Sequence, residues 1–552
     1  MFKKTDSTQA ELFCGIGNII GQKKAGKLFC PNQPHNVFYR EVTSRIDESI
    51  FSVLYCSDNG RPNASVRRLI AMMVLKEGEG WTDEQLFEEC NFDMRIMLAL
   101  GLNNITDEPP GSSTYYQFKS QVEQYKAQTG IDLLERCFEQ ITLNQMDYHG
   151  VSGKRIRLDS KLIQSNISKS SRLCLLLEGL RKYVSLKMID WTDKVKFTQK
   201  EQELLDELRQ KKAHRIIYEM DLAAQAKMLR MIGYLYQKLA KHSDEQSIIK
   251  QLYEQHYEQQ STDNNQTKDN KDDDGTGSVE PKSNDQLEAS SIQSIHDPQA
   301  GYRKKNGQAV HGYHVGVTET CTEGNELNLI THVSTNKANE SECHFLEQNL
   351  TKTNDLLEQK AEPEKVETAI ADGGYDSKKN KQLASIENES FELILTRRKG
   401  KPLKYEMKYE QENNEKKLVV KDHSTGQLCR VYKSRTNLTT VVVSSNGTRR
   451  YYTDKQIQRY LDKQIERNKD KSYLGLRANM ESTIHQMFCK LQRRFKLKYR
   501  GQTRSHYYVL SRAIYVNFKR IERKITQNLI IFLDFALRLL TGYQKSYLKV
   551  FS

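Results

Sequence analysis

The chain has 552 residues, 37% of them hydrophobic and 28% charged, with a formal net charge of +14 and a pI near 9.0. It is several times longer than a domain of ~100 to 200 residues, so more than one folding unit is expected, and the basic balance favours a polyanionic partner such as nucleic acid. The opening MFKKTDSTQAELFCG lacks the apolar stretch and cleavage site of a secretory signal, and the ten cysteines never form a CxxC pair. A reduced, cytoplasmic protein without a zinc ribbon or disulfide framework fits this usage.

Residues 1–145 read as helical. From Pro62, Asn63 or Ser65 is placed to cap a helix through VRRLIAMMVLKEG, where Val66, Leu69, Ile70, Met73 and Val74 form a stripe that Arg67 and Arg68 leave. Gly78 and Gly80 end it. Thr82 then stands three before Gln85, as in a capping box, and further helices are expected over 92–100, from Ser112 or Ser113, and over 131–143. Short helices of this kind suit a DNA-binding or dimerising module and equally a packing domain with no DNA contact.

In VSGKRIRLDSKLI, Ile156 and Leu158 alternate with Arg155, Arg157 and Asp159, which predicts a strand with Asp159 at its end and Ser160 and Lys161 leaving it. Residues 171–257 return to a helical pattern that is no sustained heptad, and a structural role is expected for them. The stretch 258–296 is rich in Gln, Asn, Asp and Ser and reads as a disordered acidic linker. Nine Asp or Glu against three Lys over 261–300 give it a local charge of −6.

Strand signals resume at 309–318 and 327–335, separated by a turn with Gly324 and Asn325, and a helix is expected over 340–358. Next, Val366, Thr368 and Ile370 lead to Asp372, followed by Gly373 and Gly374 and a helix from Ser377. A carboxylate at a strand end before glycines suits a metal site, because the sheet fixes the oxygen while the glycines admit a ligand. The region 391–456 looks like a small antiparallel β-rich insertion, and 457–552 is helical. Within the latter, LIIFLDFALRLL at 529–540 carries Asp534 and Arg538. It falls short of the ~20 apolar residues that cross a bilayer and reads as a buried helix.

Asp159, Asp372 and Glu481, the last on a helix starting near Lys471, can be tested as a set. Three carboxylates can hold two Mg²⁺ about 3.5 to 4 Å apart for phosphodiester cleavage, since Mg²⁺ prefers hard oxygen ligands. Asp376, Glu367 and Asp147 are the neighbouring alternatives. The region 461–552 holds 20 Lys or Arg against 6 Asp or Glu, a local net of +14. Its densest part, KLQRRFKLKYRGQTR, sets Lys490, Arg493, Arg494, Lys496, Lys498, Arg500 and Arg504 around Phe495 and Tyr499, chemistry suited to phosphate contacts with occasional stacking. His485, four after Glu481, is assigned a structural or surface role, and His311 and His314 are assigned to packing. No GxxxxGK[ST] loop occurs, so no nucleotide is expected.

These motifs resemble the acid-triad (Asp, Asp, Glu) transposases of bacterial insertion sequences. RPNASVRRLIAMMVLKEGEGWTDEQLFEECNFDMRIMLALGL resembles their N-terminal helical domain; GKRIRLDSKLI, AIADGGYDS and YLGLRANMESTIHQMFCKLQRR resemble the three motifs that carry the acids. Tyr375 matches the tyrosine trailing the second acid, with a packing role equally open, and Arg477 stands four before Glu481 as a DNA contact. The sequence departs from the family pattern in two places. Tyr473 is four residues before Arg477, and Phe488 stands seven after Glu481, with Lys490 the nearest basic residue. The resemblance implies a mixed α/β fold with a ribonuclease H-like catalytic domain in three pieces, 146–170, 297–390 and 457–552. It also implies Mg²⁺, replaceable by Mn²⁺, at Asp159, Asp372 and Glu481. The implied partners are double-stranded DNA, as terminal inverted repeats and target, and a second copy of the chain in the active complex. The implied setting is the bacterial cytoplasm near the nucleoid, with no membrane.

Overall fold

The computed structural model describes residues 2–5, 15–56, 62–187, 195–244, 247–258, 279–385, 391–396, 403–412, 415–434, 439–468, 472–491 and 495–550. It is a mixed α/β structure. The N-terminal region is helical: α1 (Ile16–Ile19), α2 (Gln22–Leu28), α3 (Pro34–Glu41), α4 (Val66–Glu79), α5 (Asp83–Phe92), α6 (Met94–Ala99), α7 (Ser112–Thr129) and α8 (Leu133–His149). Ser65 caps α4 by accepting from Arg68 N at 3.2 Å, and Gly80, at φ +80°, closes it. Thr82 and Gln85 form the expected capping box of α5. The one-sided stripe expected on α4 is corrected: every residue from Leu69 to Gly78 is buried, Lys76 and Glu77 included.

The reason is the C-terminal helix, α18 (Gln502–Val550), which packs on α3, α4 and α8 and on the sheet strand β4 (Ile330–Lys337). Its residues 505–518 are all buried. Asn517 pins it to β4, accepting from Ile330 N at 2.8 Å and donating to Ile330 O at 3.0 Å. Further along, the expectation of burial fails. Leu529, Ile530, Ile531 and Phe532 are helical but exposed, because α18 at ~1.5 Å per residue outruns the body it is packed against. Among the described residues no helix is long and apolar enough to cross a membrane.

The main sheet contains β1 (Arg155–Gln164), β2 (Gly301–Lys305), β3 (Gln308–Thr320), β4, β5 (Thr368–Asp372) and β6 (Glu392–Thr396). Its order is β4-β3-β1-β5-β6, with β2 sharing the β4 edge of β3. The β1–β3, β2–β3 and β3–β4 pairs are antiparallel, and β1–β5 and β5–β6 are parallel. The three strand regions expected from sequence around the acids therefore join one sheet. Two details differ. Asp159 lies inside β1, which continues through Lys161 to Gln164 because β3 pairs with it over that whole length. The strand FELILT, grouped by sequence with the β-rich insertion, supplies β6 of the main sheet, held by β5.

Between β1 and β2, helices α9 (Arg172–Lys187), α10 (Gln199–Gln210), α11 (Ala213–Tyr218), α12 (Leu222–Ala240) and α13 (Ile248–His256) surround a core of their own. The linker expectation is corrected over 279–296. Val279, Ile292 and Ile295 are buried in that core, and Pro281 bridges to Tyr257. Residues 259–278 lie outside the described residues. After β4, α14 (Cys343–Glu358) covers the sheet and α15 (Lys378–Leu383) follows β5. The β-rich unit is a hairpin of β7 (Tyr405–Glu412) and β8 (Glu415–Asp422), with a second sheet of β9 (Arg430–Lys433), β10 (Thr440–Val443) and β11 (Arg449–Tyr452). Helix α16 (Asp454–Asn468) packs on it through Ile457, and α17 (Ser472–Phe488) lies against β1, β5 and β6.

Candidate active site

The parallel ladder between β1 and β5 pairs Arg155 with Thr368, Ile156 with Ala369 and Arg157 with Ile370. Carried two residues on, the same register sets Asp159 level with Asp372 on neighbouring strands, whose spacing is ~4.8 Å. Side chains alternate along a strand, so both aspartates share the face of Arg157 and Ile370. That face is the one α17 covers: Arg157 donates to Leu476 O at 2.9 Å, and Leu476 packs with Ile370 and Ile394. Asp159 Oδ1 accepts from Ser160 N at 2.7 Å and Asp372 Oδ1 from Gly373 N at 2.6 Å, which fixes one oxygen of each.

The third acid is on the helix over this face. Met480, Thr483 and Met487 of α17 are buried against the sheet and α18, while Asn479, Ser482 and Gln486 line a cavity of about 280 Å³. Arg157, Asn328, Arg520 and Lys524 also line that cavity. At ~100° per residue, Glu481 is turned away from this cavity-lining row, and among the described residues the three acids do not form a group with ligand atoms within 4.8 Å of one another. Glu481 is solvent-exposed. The alternatives are engaged elsewhere. Asp376 pairs with Lys381 at 3.0 Å, Glu367 pairs with Lys154 at 3.1 Å, and Asp147 faces Ala361 N at 3.4 Å.

Sequence reading missed what anchors α17. Glu319 is fully buried and accepts from Arg157 Nε at 2.5 Å, from Arg520 at 2.6 Å and from Thr483 Oγ1 at 2.9 Å. Its partners lie 162, 201 and 164 residues away, so no local pattern signals them. Behind the acid-bearing face, His314, assigned to packing, is buried and hydrogen-bonds to Ser160 Oγ at 2.9 Å and Glu340 O at 3.0 Å. Burial, with Arg303 and Lys305 nearby, lowers it to about 4. Tyr375 is fully buried, and burial with the Asp159, Glu342 and Asp372 carboxylates pushes its phenol above the usual value. His485 is exposed, in keeping with a surface role.

The basic residues divide by what they hold. Arg493 and Arg494 lie outside the described residues, and of Arg477 only its place on α17 is described. Lys490 is exposed, and Lys496 bridges to Gln164 at the end of β1. Lys498 donates to Gly80 O and Trp81 O at 3.1 Å, Arg500 to Asn166 O at 2.8 Å, and Arg504 to Glu123 at 2.9 Å. Tyr499, a stacking candidate by sequence, instead bonds Glu77 and takes Lys76 Nζ at 3.1 Å. Phe495 remains partly exposed with Lys161 Nζ 4.0 Å above its ring, and Lys161 shares the strand face of Asp159.

Residues 29–121 match the family described as a transposase domain (DUF772), a span running from before α3 into α7. Over that stretch the chain is similar to transposases, in agreement with the N-terminal resemblance. No curated protein and no solved structure matches the chain.

Proposed function

We propose that this chain is a DNA transposase whose ribonuclease H-like sheet presents Asp159, Asp372 and Glu481 as the cleavage site. The observation that carries this reading is the parallel β1–β5 ladder, which ends two residues before Asp159 and Asp372 on the sheet face covered by the helix that bears the glutamate. The transposase-domain match over 29–121 supports it independently.

All three acids offer oxygen donors, the set Mg²⁺ or Mn²⁺ takes, so the donor chemistry fits the implied ion. When bound, such an ion supplies an activated water or hydroxyl and offsets charge on the leaving oxygen. The chain's own residues do the rest. β1 and β5 hold the aspartates rigidly, and Ser160 N and Gly373 N each orient one carboxylate oxygen. Lys161 and Lys496, with the basic segment between α17 and α18, supply cations for the phosphate backbone of terminal repeats and target DNA. End-directed cleavage followed by strand transfer is the reaction this arrangement serves, with two copies of the chain joining two ends.

The test uses labelled duplex carrying the repeats that flank the coding sequence, with Mg²⁺ or with a chelator. The full chain is expected to cut both strands and join the ends to target only with Mg²⁺. D159N, D372N and E481Q should each lose cleavage by about 10³-fold or more while still binding ends, because affinity comes chiefly from phosphate contacts elsewhere. Cutting without joining would reduce the reading to a nuclease. A folded variant that cuts at the wild-type rate would remove its acid from the site.

A further inference from the structure

A second group of ligand-type side chains gathers where the N-terminal helices, the sheet and α18 meet, and it contains none of the three acids. Glu135 and Glu139 are one turn apart on α8, Asp132 caps that helix, His332 lies on β4 and His506 on α18. Ligand atoms of Glu135, Glu139 and His332 lie within 4.8 Å of one another, as do those of Asp132, Glu135 and His506, so Glu135 is shared.

Two histidines point to a ligand rather than to an ordinary core. His332 is 1% exposed, its Nε2 has no hydrogen-bond partner, and its Nδ1 is 3.9 Å from Glu135 Oε1, beyond hydrogen-bonding range. A buried imidazole nitrogen without a partner is destabilising, and a ligand atom of this ring lies within 4.8 Å of the Glu135 and Glu139 carboxylates. His506, also buried, has Nδ1 3.1 Å from Thr335 Oγ1, which leaves Nε2 for a ligand, the orientation a second partner gives to metal-binding histidines.

Local cations leave the group incompletely satisfied. Asp132 is spoken for, accepting from Leu134 N and Glu135 N at 3.1 Å and from Lys126 Nζ at 2.5 Å. Lys352 stands 4.0 Å from Glu135 and 3.7 Å from Glu139, with 41% of its side chain exposed. Burial raises Glu135, and raises Glu139 to about 7.

We propose that Glu135, Glu139, His332 and His506 form a structural zinc site that joins α8, β4 and α18. Two imidazoles and two carboxylates are a donor set zinc accepts in tetrahedral geometry. Bonds of ~2.0 to 2.1 Å ask for ligand atoms ~3.3 Å apart, closer than the 4.8 Å within which each trio lies, so binding draws the side chains together. Among the described residues no cysteine belongs to either trio.

The full chain is stripped with chelator and dialysed, then given Zn²⁺ or Mg²⁺. Metal content is measured after gel filtration and Tm before and after addition. One equivalent of zinc retained per chain and a zinc-specific rise in Tm are expected, unchanged in D159N, D372N and E481Q. H332Q and H506Q should lose both. K352A removes a competing ammonium at an exposed position and should tighten zinc binding about threefold or more, which keeps the test open if the histidine variants fold poorly. No zinc retained by the wild type, retention undiminished in H332Q or H506Q, or binding no tighter in K352A would overturn the assignment.

Discussion

Arg157 and Glu319 stand opposite each other in the β1–β3 ladder, and Arg157 Nε donates to the Glu319 carboxylate at 2.5 Å with both side chains buried. The same carboxylate takes Arg520 of α18 and Thr483 of α17, so one residue fixes two helices to the strand that carries Asp159.

Glu319→Ala leaves the buried Arg157 and the partly buried Arg520 without their shared carboxylate. Breaking a buried pair of this kind costs ~3 to 5 kcal/mol. Thermal unfolding should shift down accordingly, and limited proteolysis should cut α17 sooner. An Arg157→Ala/Glu319→Ala double variant should be less destabilised than the sum of the singles, since the two share the interaction.

Gly78 tests which of two opposed effects is larger. Alanine in a helix is favoured over glycine by about 1 kcal/mol, but a Cβ here would meet the ring of Tyr515 on α18. That ring is backed by Phe518, 5.5 Å away between centroids. Overpacking costs ~1 to 3 kcal/mol, so Gly78→Ala should be net destabilising and should recover on adding Tyr515→Leu. Melting of the two variants side by side checks it.

His256 gives a pH dependence with a definite sign. Burial, then Arg172 and Lys282, lowers it from 6.5 to about 4. The unfolded chain therefore takes up a proton first as pH falls, so this contribution is complete above about 6.5 and is lost between there and about 4. At pH 5 the loss is about 2 kcal/mol. His256→Phe should flatten the pH 7 to pH 5 change in melting temperature, and an equal change in both proteins would refute the assignment.

For DNA, each phosphate contact contributes ~0.9 to the salt slope of binding. Lys496→Ala and Lys490→Ala should each lower the slope by about that amount. Arg504→Ala should leave it nearly unchanged, because Glu123 already pairs with that guanidinium at 2.9 Å. Affinities measured across a salt series separate these cases.

What was legible in the sequence was local or periodic. The Ser65 cap, the Thr82 and Gln85 box and the strand around Ile156 and Leu158 each depend on residues within a few positions of one another. That Asp159 and Asp372 lie on adjacent strands was legible only as two strand signals, since β1 and β5 are set side by side by a ladder from Arg155 to Arg157 and from Thr368 to Ile370. β2 escaped because GYRKK has no apolar alternation and owes its place to the turn at Asn306 and Gly307, both at positive φ. The burial of α4 on all sides was invisible for a different reason. It is imposed by α18, more than 420 residues later, which covers the face that Lys76 and Glu77 would otherwise show to water.

The helices between β1 and β2 begin and end in one row of the sheet, where Gln164, Gly312 and Gly301 are paired side by side. Asp297 ties the two ends together, accepting from Ser165 Oγ and, at 2.5 Å, from Tyr313 OH. Because this row is fixed by β3 and the inserted helices carry a separate core, their stability and that of the sheet are largely independent quantities. A cassette held in this way can be lengthened, shortened or exchanged over evolutionary time without moving Asp159, and a short loop spanning two strand spacings, ~10 Å, would suffice to close the gap it leaves.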